Sequence, residues 1–173
     1  EEIRKFFFRK KVPLGKDIPV YDSDSKKMFN YFFVPFLMIQ LLLPMRHWFI
    51  KGDVLWTEQA HRLSWRMMLR GRSGVVDFKV VDKSNNTEIN FRLEELFTTK
   101  QIAKLNAPDM IWQAAHKINH HFKEQGKDVA VFAKSSYVSV NMKENKQLID
   151  PTIDLASEKW SHFNHHDWIL EEN

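Results

Sequence analysis

The sequence predicts an α+β fold: an apolar helix, then a small antiparallel sheet with helices packed against it. Three observations support this prediction. An uncharged run of 18 residues begins at Met28. Two segments with alternating apolar residues flank a turn-rich stretch at residues 82–87, which is a hairpin signal. A later segment carries apolar residues at helical spacing.

The uncharged run from residue 28 to residue 45 is just long enough to cross a bilayer as a helix, although Pro35 and Pro44 interrupt it. Aromatic residues lie at both ends, as a membrane interface favours. The alternative is the core helix of a soluble protein. Basic residues are concentrated before the run, so the positive-inside rule places residues 1–27 in the cytoplasm. We therefore expect an integral membrane protein with the lipid bilayer as a partner. Its three parts are a basic juxtamembrane segment (1–27), a membrane-spanning helix (28–49) and an extracytoplasmic α+β domain (50–173).

The segment from Asp53 to Arg70 is predicted to form one helix, capped by Asp53 and ended by Gly71. On such a helix, Arg62, Arg66 and Arg70 form one column, because they are spaced four residues apart. A face of this kind binds anions, such as a carboxylate, lipid phosphates or acidic partner residues. The alternative interpretation is a solvated face. The column supports one functional hypothesis, a non-catalytic membrane-anchored module that binds an anionic partner or lipid.

The rest of the chain supplies the sheet and its covering helix. The hairpin is followed by a helix that Pro108 starts and Gly126 ends. Residues 129–141 alternate as one long strand or two short ones, and an irregular, aromatic-rich tail follows. One face of the first strand is predicted to carry Val76, Phe78 and Val80, and one face of the second to carry Ile89, Phe91 and Leu93. The predicted apolar stripe of the helix is Ile111, Ala114, Ala115, Ile118 and Phe122.

Composition and charge exclude several classes of protein. The chain has 173 residues and no cysteine, which excludes disulfide scaffolds, iron–sulfur sites and thiol catalysis. The formal net charge is +4, but residues 73–173 are acidic and no nucleic-acid-binding motif is present, so we expect no nucleic-acid partner. His116 and His120 are four residues apart, but Lys117 follows where a zinc protease has glutamate, so no metal is expected.

Two stretches resemble the vitamin K-dependent γ-glutamyl carboxylase family, including its bacterial relatives, the HTTM-domain proteins. The first is QLLLPMRHWF followed by HRLSWRMMLRGRSG. The second is LIDPTIDLASEKWSHFNHHDW. The order of hairpin, long helix and strand between them also fits the family. The resemblance covers residues 28–170.

The resemblance implies a membrane lyase that oxygenates reduced vitamin K, or a related quinol, to an epoxide with O2. The strong base so formed deprotonates a peptide glutamate, and CO2 adds to the carbanion. In the family, the catalytic Lys and His lie in upstream membrane helices. We therefore expect a C-terminal fragment with no catalytic residue of its own, inactive alone. Its partner would be a glutamate-containing peptide or protein.

Matching residue by residue, the resemblance assigns two sets of contacts. The substrate-binding residues are His61, Ser64, Trp65, Arg70 and Arg72, and the quinone-binding residues are Met67 and Met68. Vertebrate members have tyrosine where His61 stands and histidine where Arg70 stands. The family's large propeptide-binding β-domain is not evident. The resemblance therefore leaves open whether carboxylation or only quinone epoxidation takes place.

Overall fold

The structure is a computed structural model that describes residues 23–66 and 71–172. The chain divides into two compact units, Glu1–Gln40 and Leu41–Asn173. The α+β prediction is confirmed: an apolar helix is followed by a four-stranded antiparallel sheet and helices.

The apolar run is helical from Ser23 to Phe49. It comprises α1 (Ser23–Met28), a π turn (Phe29–Phe33), α2 (Val34–Met45) and a 3-10 turn (Arg46–Phe49). The π turn ends two residues before Pro35, which has no N–H for the regular helical bond. Most of the large apolar side chains of this helical run are exposed. By length and composition, residues Lys26–Phe49 could cross a membrane. That they do so stays a prediction, as does the cytoplasmic side of residues 1–27, most of which lie outside the described residues.

The predicted helix from Asp53 to Arg70 is wrong over residues 58–66, and its last four residues lie outside the described part of the chain. Asp53 does cap a helix, because its Oδ1 accepts a hydrogen bond from the Leu55 N–H at 2.8 Å. However, α3 covers only Val54–Thr57, and Glu58 ends it with a left-handed backbone conformation. Residues 59–66 are turns rather than helix.

The sheet has the strand order β2-β1-β3-β4, and every neighbouring pair is antiparallel. The strands are β1 (Arg72–Asp82), β2 (Thr87–Ile89), β3 (Val129–Val140) and β4 (Lys146–Gln147). The predicted hairpin is therefore present, as the β1–β2 pair. Of the two options for residues 129–141, one long strand is correct. It bends at a bulge opposite Asp77 and Phe78 of β1.

Two short elements lead into the long helix that covers the sheet. They are a 3-10 turn (Leu93–Glu95) and α4 (Thr99–Ile102), which a capping box from Thr98 begins. Helix α5 (Pro108–Glu124) starts at Pro108 as predicted. Its apolar stripe packs against the inward face of β1 and β3. The predicted face of β1 (Val76, Phe78 and Val80) and the whole predicted stripe of α5 are buried in the core. The predicted face of the second strand (Ile89, Phe91 and Leu93) is partly buried against it.

The irregular tail closes the core at the edge of the sheet. Ile149 and Ile169 form an isolated antiparallel bridge, and both are buried. The Trp56 indole N–H donates to the carbonyl of Leu170 at 2.6 Å. This bond holds α3 to the end of the tail and thereby fixes where the loop after α3 begins.

Candidate functional site

The segment from Glu58 to Arg66, called loop 58–66 below, has an unusual backbone. Glu58, Ala60, Leu63 and Trp65 all have positive φ, between 55° and 67°. L-residues seldom adopt this left-handed conformation, which costs about 1–2 kcal/mol for each of them. Strained backbone of this kind concentrates at binding and catalytic sites. Loop 58–66 is therefore the first candidate for a functional element.

Loop 58–66 is tied to the 3-10 turn that ends the apolar helix. Arg46 Nη2 donates to the carbonyl of Arg62 at 2.9 Å. Arg66 Nη2 donates to His47 Nε2 at 3.2 Å, and His47 Nδ1 donates to the Pro44 carbonyl at 2.7 Å. His47 is buried. These bonds hold the loop at the end of the apolar helix, at the level of Trp48 and Phe49.

The predicted arginine column does not exist as a helical face, because the helix that would carry it ends at Thr57. Arg62 instead forms an ion pair with Asp109 Oδ2 at the start of α5. Arg66 turns to His47, and Arg70 lies outside the described residues. The hypothesis of an anion-binding module loses its geometric basis, since the two described arginines have separate protein partners.

Three of the predicted substrate-binding residues lie in loop 58–66. The Ser64 hydroxyl is buried and donates to the carbonyl of His61 at 2.5 Å, so it stabilises the loop's own turn. His61 is half-buried. The Trp65 side chain is 70% exposed, and that of Leu63 is 63% exposed. Of the residues predicted here, Trp65 is the one that presents most of its side chain for binding.

Arg72 has a different environment from the one predicted for a substrate ligand. Its side chain is only 4% exposed and lies 3.2 Å from Glu58 Oε1. The guanidinium also donates to the carbonyls of Asn106, Leu55 and Trp56, at 2.7–3.0 Å. These bonds join α3, the start of β1 and the loop before α5. Arg72 therefore holds the base of loop 58–66, and direct contact with a substrate stays a prediction.

The quinone-binding residues Met67 and Met68 lie outside the described residues, as does Arg70. Their predicted roles remain predictions. Arg66 and Gly71 are the described residues on either side of this stretch. Gly71 N–H donates to Asn141 Oδ1 at 2.9 Å.

A cavity of about 480 Å³ lies beside loop 58–66; it is called the Gln59 cavity below. Gln59 is only 3% exposed. Its Oε1 accepts a hydrogen bond from His165 Nδ1 at 2.8 Å. The cavity is bounded by the end of the apolar helix, the loop, the first turns of α5 and the tail. Its lining residues are Arg46, Ile50, Glu58, Gln59, Ala60, Arg62, Asp109, Trp112, Gln113, Trp160, Ser161, His162 and Asn164.

Sequence reasoning missed most of the residues that build this region. Asp109 could be recognised as an acidic residue in the first turn of a helix, but nothing local pairs it with Arg62, 47 positions earlier. His47 and Gln59 carry no motif. The tail motif containing Trp160 was noticed only through the family resemblance. These residues are brought together by contacts between positions far apart in the sequence. The spacing of residues along the chain does not reveal such contacts.

Metal chemistry receives no support from the described part of the chain. There, no group of three or more His, Asp or Glu side chains is placed to hold a metal ion. His116 contacts the Glu158 carbonyl at 3.0 Å and packs against the Trp112 ring, with 4.2 Å between ring centroids.

Together, the fold and this site define an α+β domain that follows an apolar helix and holds a strained loop at the end of that helix. A family model for the lumenal domain of vitamin K-dependent gamma-carboxylase matches residues 25–173. The chain therefore belongs to that family, as its two sequence motifs indicated. No solved structure matches the chain. The family and the apolar helix point to a membrane-associated, extracytoplasmic placement.

Proposed function

We propose that this chain is the extracytoplasmic part of a membrane-integral γ-carboxylase-like enzyme. The enzyme would couple oxidation of a reduced quinone, of the vitamin K type, to carboxylation of peptide-bound glutamate. The catalytic base would come from membrane helices upstream of the described residues. The observation that carries the proposal is the attachment of loop 58–66 to the end of the apolar helix, through Arg46 and His47.

This attachment matters because the two proposed substrates differ in solubility. A quinol with an apolar tail partitions into lipid, whereas a glutamate peptide arrives from water. A loop fixed where an apolar helix ends lies at the boundary between those phases, provided that Lys26–Phe49 spans the bilayer. The loop contains Ser64, Trp65 and Arg66, the first three residues of the SWxMM motif (Ser64–Met68) that resembles the family.

The described residues divide into contact and positioning roles under this proposal. Trp65 and Leu63 expose apolar side chains, which fit the ring of a quinol. Ser64 and Arg72 are committed to hydrogen bonds within the domain, so they would position the loop. When bound, the quinol supplies the reducing equivalents and the strong base. Met67, Met68, His61 and Arg70 complete the proposed contact set from the family resemblance.

The test uses the membrane-embedded enzyme with reduced vitamin K, O2, labelled CO2 and a glutamate-containing peptide. We expect Trp65→Ala to lower both epoxide formation and label incorporation at least tenfold, because a contact to the reacting groups is lost. Tyr137→Ala is the matched control, since this aromatic residue is 52% exposed on β3, outside loop 58–66. It should stay within twofold of the parent. If Trp65→Ala leaves both reactions unchanged, the proposed role of the loop is wrong.

A further inference from the structure

Exposed apolar side chains are concentrated on three chain segments: the 3-10 turn that ends the apolar helix, loop 58–66 and the tail. Five large apolar side chains there have 63% to 87% of their area accessible. They are Trp48, Phe49, Leu63, Trp65 and Phe163. This set is called the Phe163 surface below. Among the other described residues after Phe49, the exposed large apolar side chains are Val75, Tyr137 and Met142.

Arg46 connects the tail and loop 58–66 to the end of the apolar helix. Its Nη2 donates to the carbonyl of Arg62 at 2.9 Å. Its Cζ lies 5.7 Å from the centroid of the Phe163 ring, a distance at which a cation and an aromatic ring attract each other. Because Arg46 belongs to the 3-10 turn, Phe163 lies within reach of one arginine side chain from the point where the helix ends.

Phe163 is presented by a turn that the protein holds in place. The Ser161 Oγ accepts hydrogen bonds from the N–H groups of Phe163 and Asn164, at 3.3 and 3.2 Å. Beside this turn, the Trp160 ring stacks on the buried His166, with 4.6 Å between ring centroids. The base of the turn is therefore packed against the domain, and a loosely packed tail does not explain why the Phe163 ring is exposed.

Single exposed apolar residues are common on protein surfaces, so the location of these five decides their meaning. The surface continues from an apolar helix that could cross a membrane, and the last residues of that helix, Leu41–Met45, belong to the same compact unit as the domain. Aromatic rings beside a cation are typical of the membrane interface. Within the described part of the chain, Arg46 forms no ion pair, so its positive charge suits the level of the lipid phosphates.

We propose that the tail turn at residues 161–164 is a second membrane-contacting element of this domain. Phe163 inserts into the head-group region of the phospholipid bilayer, at the same level as Trp48 and Phe49. A domain attached through one helix alone is free to tilt. A second contact, from a segment far away in the sequence, fixes how loop 58–66 faces the lipid. This inference rests on the membrane placement of the domain and is independent of the proposed carboxylation.

The first experiment measures the depth of Phe163 with the full chain in phospholipid nanodiscs. The chain has no cysteine, so Phe163→Cys, Trp48→Cys and Ser84→Cys each carry one nitroxide label at a known site. Power-saturation EPR compares collisions with O2, which is enriched in lipid, and with a water-soluble nickel chelate. Ser84 is the aqueous control, because its exposed turn lies about 30 Å from Arg72 along β1, at about 3.3 Å per residue.

We expect the O2-to-nickel collision ratio at position 163 to exceed that at position 84 by about threefold or more, and to approach the ratio at position 48. The second experiment tests whether the phenylalanine ring causes the contact. A label on Asn164→Cys, at an exposed neighbouring position, should report the same lipid environment. Adding Phe163→Asp should lower its ratio to that of position 84, whereas adding Phe163→Leu, the matched apolar control, should preserve it.

Three results would overturn the inference. A ratio at position 163 equal to that at position 84 would show that the ring lies in water. Few collisions with either reagent at position 163 would show that another part of the protein covers it. An unchanged ratio at position 164 in the Phe163→Asp variant would show that the ring does not hold the turn at the membrane. Carboxylase activity is not a readout, so failure of the proposed function would leave this test intact.

Discussion

Arg62 donates from both Nε and Nη2 to Oδ2 of Asp109, which lies in the first turn of α5. The two side chains differ greatly in exposure, at 66% for Arg62 and 11% for Asp109. This pair joins loop 58–66 to the helix that covers the sheet. It also forms one wall of the Gln59 cavity.

We expect Arg62→Ala to destabilise the domain by about 1–3 kcal/mol, because it leaves the buried Asp109 carboxylate without its cation. Arg92→Ala is the control, since Arg92 makes an exposed pair with Glu94 at 3.7 Å. Exposed pairs contribute at most about 1 kcal/mol. Urea unfolding followed by near-UV circular dichroism measures both variants. Equal losses for the two would show that the Arg62–Asp109 pair behaves as an ordinary surface pair.

Arg72→Met should cost more, about 3–5 kcal/mol, because it removes a buried cation and leaves Glu58 in a buried position. Adding Glu58→Gln to that variant should recover part of the loss, since the buried charge that has lost its Arg72 partner is then removed. Lys79→Met is the control, as Lys79 forms an exposed pair with Glu88 at 3.8 Å. The unfolding free energies of the two single variants and of the double variant give the coupling energy between Arg72 and Glu58. A double variant no more stable than Arg72→Met would contradict the assigned ion pair.

Ala60→Gly tests whether the strain in loop 58–66 is real. Ala60 has a φ of 55°, where glycine suffers no steric penalty. Relief of about 1–2 kcal/mol of strain should outweigh the added freedom of the unfolded chain, so we expect a net gain of about 0.5–1 kcal/mol. Ala103→Gly is the matched control, because Ala103 is exposed with a φ of −61° and should lose stability instead. The two variants should shift the unfolding midpoint in opposite directions.

Much of the fold could be predicted from local patterns. The inward-facing residues of β1 alternate with outward-facing ones, and those of α5 recur at helical spacing. Residues 82–87 are rich in the residue types that form turns. The helix predicted from Asp53 to Arg70 failed for a different reason. The capping residue and the spacing of the segment favour a helix. However, Trp56 is bonded to Leu170 near its beginning, and Arg72 is bonded to backbone carbonyls just after its end. These bonds fix the two ends in positions that differ from those of a continuous helix. Tertiary contacts here override local propensity.

The candidate site was only partly predictable, for a related reason. The SWxMM motif drew attention to loop 58–66, but a motif does not say which side chains face outward. Ser64 and Arg72 turn inward to hold the loop, whereas Trp65 is exposed. Gln59, which lines the Gln59 cavity, is bonded to His165, 106 positions later in the chain. Contacts between residues so far apart in the sequence leave no periodic pattern in it.

His166 gives the domain a pH-dependent stability. Burial, and to a lesser extent the neighbouring His165, lower the pKa of His166 below its ordinary value of 6.5. The Ser161 carbonyl, Glu158 and Asp167 act in the opposite direction but do not outweigh burial. His166 Nε2 lies 3.2 Å from the Ser161 backbone nitrogen and 3.1 Å from the Ser161 carbonyl oxygen, so burial rather than either contact decides the direction of the pKa shift. The folded state therefore favours neutral His166.

Above pH 6.5 both the folded and unfolded states hold neutral His166, so this residue adds no pH dependence there. As the pH falls below 6.5, the unfolded chain binds the proton first, and stability falls until the lowered pKa of the folded state is reached. His166→Phe keeps a ring between Trp160 and Trp168 but cannot titrate. Its unfolding free energy should therefore fall less than that of the parent between pH 7 and pH 5. His120→Gln, at an exposed position on α5, is the control for the loss of a histidine. Parallel slopes for the parent and His166→Phe would show that the proton is taken up elsewhere.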